Sequence, residues 1–366
     1  MKVGILTYKA RANPENYKPD DRMLSDVLNQ EGVEASIFSW SDRSINTRTF
    51  DALVLRSCWD SYRNPSPFLA WLDLVEADRP RLINQRDVVI WNYHKERYMS
   101  DLITHFQNNP SRSGLIVPSL FYTSQQTILD DEQTFRSAKG MTLFELLGEF
   151  DAHVEPMWQG GDIVVKPTIS AEGENTFYIR REANNQLADA DDILGMPEAE
   201  TCVERLLQDT TWPGIIIQPA LAGIKHGEYS LIYIAGEFSH AVRKITNKND
   251  FKNRVEANRL GIGKCALPSG LLDFADDIMQ AVIDQFSLNA ITYARVDLIL
   301  EDDHIPILLE LELGDPNLQF VRIPEIFYAN RQVPTAIEIE QGRVAQDDAL
   351  HRFATAIINR TTELAA

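Results

Sequence analysis

Cysteine is nearly absent. Cys58, Cys202 and Cys265 are few, odd in number and far apart, which excludes a disulfide framework and a thiolate zinc site. Positive charge is short as well: 35 Lys and Arg stand against 54 Asp and Glu, a formal charge of −19. That field repels a nucleic-acid backbone, and no local basic patch offsets it. No apolar run reaches the length of a membrane span. His94, His226, His240 and His304 lack HxxH or HExxH spacing, which argues against a transition-metal site. Neither GxxxxGK[ST] nor GxSxG occurs, and a cysteine nucleophile has no support beyond the presence of Cys58. The chain opens on an apolar strand rather than a leader, so a cytoplasmic protein is expected, with neither nucleic acid nor membrane as partner.

What is present is ordinary globular material, 44% hydrophobic over 366 residues, enough for two or three domains. Strands are predicted at Lys2–Tyr8, Glu34–Phe38, Asp51–Arg56 and Arg81–Asn84, with helices at Asp20–Glu31 and Pro67–Glu76. Strands alternating with helices imply a parallel sheet, with ligands beyond the carboxyl ends of its strands. A second unit is expected to begin after Asn109-Pro110, and a third to open with Gly214-Ile-Ile-Ile-Gln218-Pro219. The expected division is 1–109, 110–213 and 214–366. A helix is expected over Val89–Leu102, others over 143–150 and Leu271–Phe286, and a closing helix over Leu350–Leu364.

The densest signal is Ala294-Arg-Val-Asp297-Leu-Ile-Leu300 and then Leu308-Leu-Glu310-Leu-Glu312-Leu313. Both runs alternate with a period of two and read as a strand pair. If Asp302-Asp303 form the tip, Asp297 lies opposite Leu308, diagonal to Glu310 and on one face with Glu310 and Glu312, while Leu309, Leu311 and Leu313 face a core. Three half-buried carboxylates repel one another and need a cation; oxygen-only ligands favour Mg2+ or Mn2+. A solvated face in which Arg295 neutralises Glu310 is the other reading.

Lys166 ends an apolar strand and precedes the small polar stretch Thr168 to Thr176, which includes Ser170 and Gly173. A point charge beside a pliable loop suits polyphosphate, although many such lysines do nothing. Trp91, Lys95 and Tyr98 share a helical face, where Lys95 could also merely lie over its aromatic neighbours. Arg243-Lys244 could neutralise a transferred phosphoryl group or be surface charge. Arg56, after the third strand, could bind a substrate carboxylate, with Arg254 second, or form a salt bridge to Asp60.

Taken in order, Lys95, Val165-Lys166-Pro167, Ile217-Gln218-Pro219, Glu228, Arg243-Lys244, Asp297, Glu310 and Glu312 resemble the ATP-grasp superfamily of carboxylate–amine ligases. Arg56-Ser-Cys-Trp-Asp60, Trp91-Asn92 and Leu309-Glu-Leu-Glu-Leu313 are most similar to its glutathione-synthetase-like branch, which includes the O-ureidoserine cyclo-ligase of D-cycloserine biosynthesis. The resemblance implies an α/β fold: an N-terminal Rossmann-like parallel sheet, then a central lid subdomain and a C-terminal subdomain that sandwich ATP. It implies Lys95 and Lys166 on the phosphates, the Ser170 to Thr176 loop closing over them, and Ile217, Gln218 and Ala220 near adenine. It further implies Glu228 at ribose or metal, Arg243 at the γ-phosphate, and Asp297, Glu310 and Glu312 on Mg2+. Two departures bear on substrate: Glu312 where the superfamily often has asparagine, and Asp315-Pro316 where the branch tends to have Glu-Pro. The segment from Ile323 to Asp348 also looks unlike the branch.

The implied reaction makes an acylphosphate at ATP's expense, which an amine then attacks, or a thiol or an internal group closing a ring. The implied partners are small-molecule carboxylates and amines, with a homodimer as the superfamily's tendency. The alternatives are a kinase of the same fold and a catalytically silent nucleotide-binding regulator.

Overall fold

The computed structural model describes residues 1–111, 113–131, 134–181, 193–245, 258–301, 304–327 and 334–365. At the N-terminus the apolar strand Lys2–Thr7 lies between Glu34–Ser39 and Ala52–Ser57, all parallel. Proline at the first helical position and Asp20 and Asp21 in the first turn start the crossover helix Pro19–Gln30. The fourth strand expected at Arg81–Asn84 is reduced to a single bridge, Leu53 to Leu82. The reason is local: the Glu76 carboxylate takes the N–H groups of Arg81 and Leu82, at 2.6 and 2.7 Å.

The helix expected over Val89–Leu102 is two helices, Arg86–Tyr93 and Lys95–Asn108, broken at an extended His94. Lys95 sends its backbone N–H to Thr168 O at 3.1 Å, so its helix starts afresh at a contact with the loop after Lys166. The rest of the chain builds two six-stranded sheets. One runs Arg136–Ser137, Leu120–Thr123, Ile215–Pro219, Ile163–Pro167, Phe177–Ile179, Ile193–Leu194. The other runs Asn258–Ile262, Glu237–Ile245, Glu228–Ile234, Tyr293–Leu300, Pro306–Glu312, Leu115–Ile116. Segments cross the expected divisions. Ile215–Pro219, expected to open the third unit, pairs inside the middle sheet, with Ile216 opposite Lys166. Leu115–Ile116 joins the last sheet instead.

The closing helix is longer than expected, Ala336–Ala365. Leu350, Phe353, Ala354 and Ile357 pack with Val3, Ile5 and Leu24, so the end of the chain seals the core of its beginning. The segment unlike the branch is a 3-10 stretch, Phe320–Phe327, and the first turns of that helix, with 328–333 outside the described residues. Among the described residues no helix is long and apolar enough to cross a membrane.

Candidate functional site

Tyr293–Leu300 and Pro306–Glu312 form the expected antiparallel pair, but with a bulge after Asp297. Asp297 therefore faces Glu310 directly, Leu298 faces Leu308, and Leu309 is the extra residue. The expected pairing of Asp297 with Leu308 is corrected by that one residue. Leu309 turns to line a cavity, Leu311 is buried at its edge, and Leu313 stays in the core. The expected turn residues Asp302 and Asp303 lie outside the described residues. The N-terminal unit fixes this pair of strands with asparagine side chains. Asn92 donates to Leu311 O at 2.7 Å and accepts from Leu313 N at 2.6 Å; Asn84 donates to Tyr293 O and Leu313 O.

Oxygens of Asp297, Glu310 and Glu312 come within 4.8 Å of one another. An oxygen-only set of this size fits a hard divalent cation. The neighbouring cations divide the acids between them. Lys166 Nζ lies 2.9 Å from Glu310 Oε1, and Lys95 Nζ 4.0 Å from the same oxygen. Arg295 pairs with Asp297 at 2.7 Å and with Glu312, which sits opposite it in register. The other reading, in which Arg295 neutralises Glu310, is thus corrected: Arg295 stands opposite Glu312, while Glu310 stands opposite Asp297 and takes Lys166. Burial pushes the Glu310 carboxyl up, but Lys166 and Lys95 outweigh it and hold the group at about 2. Burial also opposes Asp297, yet Arg295 and Lys244 keep it below its ordinary range. Glu312 is raised by burial, with repulsion from Asp297 and Glu310 adding to it.

Strand parity separates Arg243 from Lys244. Glu228, Lys244 and Arg259 stand opposite one another across three strands and all line the cavity. Lys244 pairs with Glu228 and lies 3.6 Å from Asp297. Arg243, one residue earlier, points to the other face, where it packs over Tyr229 and donates to His226 O. Arg243 and Lys244 are adjacent, and their side chains fall on opposite faces of the strand; the cross-strand partner Glu228 is what marks Lys244's face as the cavity side.

The cavity measures about 760 Å³, within the range of small-molecule sites. Val117, Ile169, Leu221, Ile224, Ile299 and Leu309 give it apolar walls beside Gln218, Pro219 and Ala220. Ile217 is fully buried in the adjacent core and only its neighbours reach the cavity. Ser170 and Gly173 line it, and Lys95 Nζ donates to Ser170 O at 2.7 Å. Glu172, Gly173 and Asn175 have φ of 53°, 68° and 54°, a tight left-handed course. Glu174 ties this loop to the N-terminal unit through Tyr62 and, at 2.9 Å, Arg63.

Arg56 is not among the cavity residues. It is buried, 3.6 Å from Asp21, and donates to Pro316 O at 3.0 Å. It does not pair with Asp60, whose carboxylate accepts from the Trp40 indole at 2.7 Å. Arg254 lies outside the described residues. Lys18, Trp59, Asp315 and Arg259 line the cavity, and none of the four was a candidate from sequence. Burial, with Glu312 adding to it, lifts the Asp315 carboxyl to about 7.

Residues 3–84 match the family described as D-cycloserine synthetase DcsG, N-terminal domain. The cycloserine biosynthesis protein DcsG of Streptomyces lavendulae is 25% identical over 339 residues, 87% of this chain and 93% of that protein. The crystal structure of D-cycloserine synthetase DcsG superposes with a TM-score of 0.71 at 22% identity, covering 99% of this chain and all of the other. The ATP-grasp ligase PsnB, complexed with minimal precursor, gives a TM-score of 0.50 at 16% identity over 94% of this chain and 97% of its own. The chain has the ATP-grasp fold. A D-alanine–D-alanine ligase from Bacillus anthracis, complexed with ATP, agrees in fold at a TM-score of 0.55 and 11% identity, covering 99% of this chain and 98% of that one. In this chain the two six-stranded sheets supply charged residues to the cavity: Lys166 from one, and Glu228, Lys244, Arg259, Arg295, Asp297, Glu310 and Glu312 from the other.

Proposed function

We propose that this chain is an ATP-dependent ligase that joins a small carboxylic acid to an amine through an acylphosphate. The observation that carries the reading is the set of three carboxylates within 4.8 Å of one another, with Lys166 and Lys95 at ion-pair distance from Glu310, in a cavity with apolar walls. Mg2+ held by Asp297, Glu310 and Glu312 would offset charge on the phosphates.

The protein's own side chains do the rest. Lys95 and Lys166 stand where they can exchange a carboxylate for phosphate oxygens. Lys244 and Arg295 stand on the same face as Asp297 and stabilise negative charge as the phosphoryl group leaves ADP for the carboxylate oxygen. The amine nitrogen then forms a bond to the acyl carbon, phosphate departs and the amine gives up a proton. The Ser170 to Thr176 loop, clasped through Glu174, keeps water from the acylphosphate. No protein nucleophile is required.

The test is ADP release from Mg-ATP with amino acids, dipeptides and ureido amino acids, singly and in pairs, with mass analysis of products. ADP together with an amide, or with a ring-closed single substrate, is the expected result. A stable phosphorylated product would replace the ligase by a kinase, and ATP binding with no turnover on any acid would replace it by a nucleotide sensor.

A further inference from the structure

Glu310 and Glu312 stand near the end of a strand whose second edge is only partly covered. Leu115–Ile116 pairs there with Ile307 and Leu308 and goes no further. Past the bulge, the side chain of Asn92 takes over. Its amide donates to Leu311 O at 2.7 Å and accepts from Leu313 N at 2.6 Å, the backbone groups on either side of Glu312. A carboxamide offers a donor and an acceptor as a peptide group does, so one side chain stands in for the missing strand.

Asn92 belongs to the helix Arg86–Tyr93, and Asn84 sits just before the first turn of the same helix. Asn84 donates to Leu313 O at 2.6 Å and Tyr293 O at 2.8 Å, and accepts from Thr292 N at 2.7 Å. Leu313 is thus held at its N–H by one asparagine and at its C=O by the other. The two differ in what lies beside them. Asn92 lines the cavity with Glu310 and Glu312, and Asn84 is not among the cavity residues. Three positions after Asn92 comes Lys95, whose Nζ lies 4.0 Å from Glu310 and donates to Ser170 O at 2.7 Å. A short span of chain therefore ties the acidic strand to the loop after Lys166. Carboxylates on a strand end free to shift lose their mutual spacing, and the affinity of a metal site depends on the groups that orient its ligands.

We propose that Asn92 is a positioning residue for the divalent cation: by fixing the backbone on both sides of Glu312, it holds Glu310 and Glu312 at the spacing that they share with Asp297. Asn84 grips the same strand end for stability alone. The inference rests on the reading of these three carboxylates as the ligands of the cation that the ligase uses with ATP.

The experiment titrates Mn2+, as a reporter for Mg2+, into the full chain carrying one equivalent of AMPPNP, followed by electron paramagnetic resonance well below each variant's Tm. Asn92→Ala should raise the Kd for Mn2+ about 10-fold or more, the usual cost of losing a group that orients metal ligands. Asn92→Leu keeps the bulk and loses both hydrogen bonds, and should show the same weakening. Asn84→Ala should lower Tm and leave the Mn2+ Kd within about threefold. A Kd within about threefold of the wild type in the Asn92 variants overturns the proposal, and so does an equal weakening by Asn84→Ala. ADP release from Mg-ATP, measured beside it, separates this role from the ligase reading. Weakened Mn2+ binding in the Asn92 variants, with no ADP released by the wild type on any acid, upholds the positioning role and overturns the ligase. Amide formation by the wild type, with Mn2+ binding unchanged in the Asn92 variants, does the reverse. A wild type that binds no Mn2+ overturns both.

Discussion

Around the acidic strands, four cations have an acid within ion-pair distance: Lys166 and Lys95 share Glu310, Arg295 holds Asp297 and Glu312, and Lys244 holds Glu228. Around the N-terminal loops the same cavity is arranged in the opposite way. Lys18 and Asp315 line it there with no ion pair among the described residues, as does Arg259 at the outer strand of the acidic sheet. The first region is electrically complete before anything binds, so its geometry is set by the protein. The second is costly until a ligand supplies the missing charges. The contrast assigns general chemistry to the first region and substrate choice to the second.

The strongest test of that contrast is Glu310→Gln, which keeps shape and removes one charge from the metal-fitting set. Turnover should fall at least about 10³-fold at saturating Mg2+. ADP release at the wild-type rate would remove Glu310 from the chemistry. Next is the pair Lys244→Ala and Arg243→Ala. The first should cost about 100-fold in kcat and the second less than about threefold, because only Lys244 shares a face with Asp297. Equal losses would mean that strand parity does not divide their roles. Lys166→Ala should then weaken ATP binding about 10-fold to 100-fold by calorimetry; an unchanged affinity would take Lys166 away from the phosphates.

The smallest effect concerns stability. Glu310 sits at about 2, below its unfolded value, because the lysines outweigh its burial. A depressed carboxyl stabilises the fold above its unfolded pKa, and that contribution fades as pH falls toward 2. Glu310→Gln without ligands should therefore melt slightly below the wild type at pH 7, and the gap should narrow between about pH 4.5 and pH 3. A gap that widens on acidification would show that the lysines do not govern this carboxyl.

The parallel N-terminal sheet, the helix Leu271–Phe286 and the acidic strand pair were legible because each is written in local periodicity. The break at His94 was not. It exists because Lys95 finds the carbonyl of Thr168, a partner 73 positions away. Arg56 was read as a ligand for substrate carboxylate because it comes at the end of a strand; in the fold it braces the Asp315-Pro316 segment that faces the cavity.

By itself the sequence determined that Arg295 and Asp297 share one face of their strand and Glu310 and Glu312 one face of theirs, because side chains alternate along a strand whatever surrounds it. Tertiary structure decided which residue stands opposite which. The bulge at Leu309, the choice of Lys244 over Arg243, the sheet that receives Ile215–Pro219 and the joining of Trp59 to Asp315 all depend on register between distant segments. Register is set by packing and hydrogen bonds across the whole fold, and no local pattern encodes it.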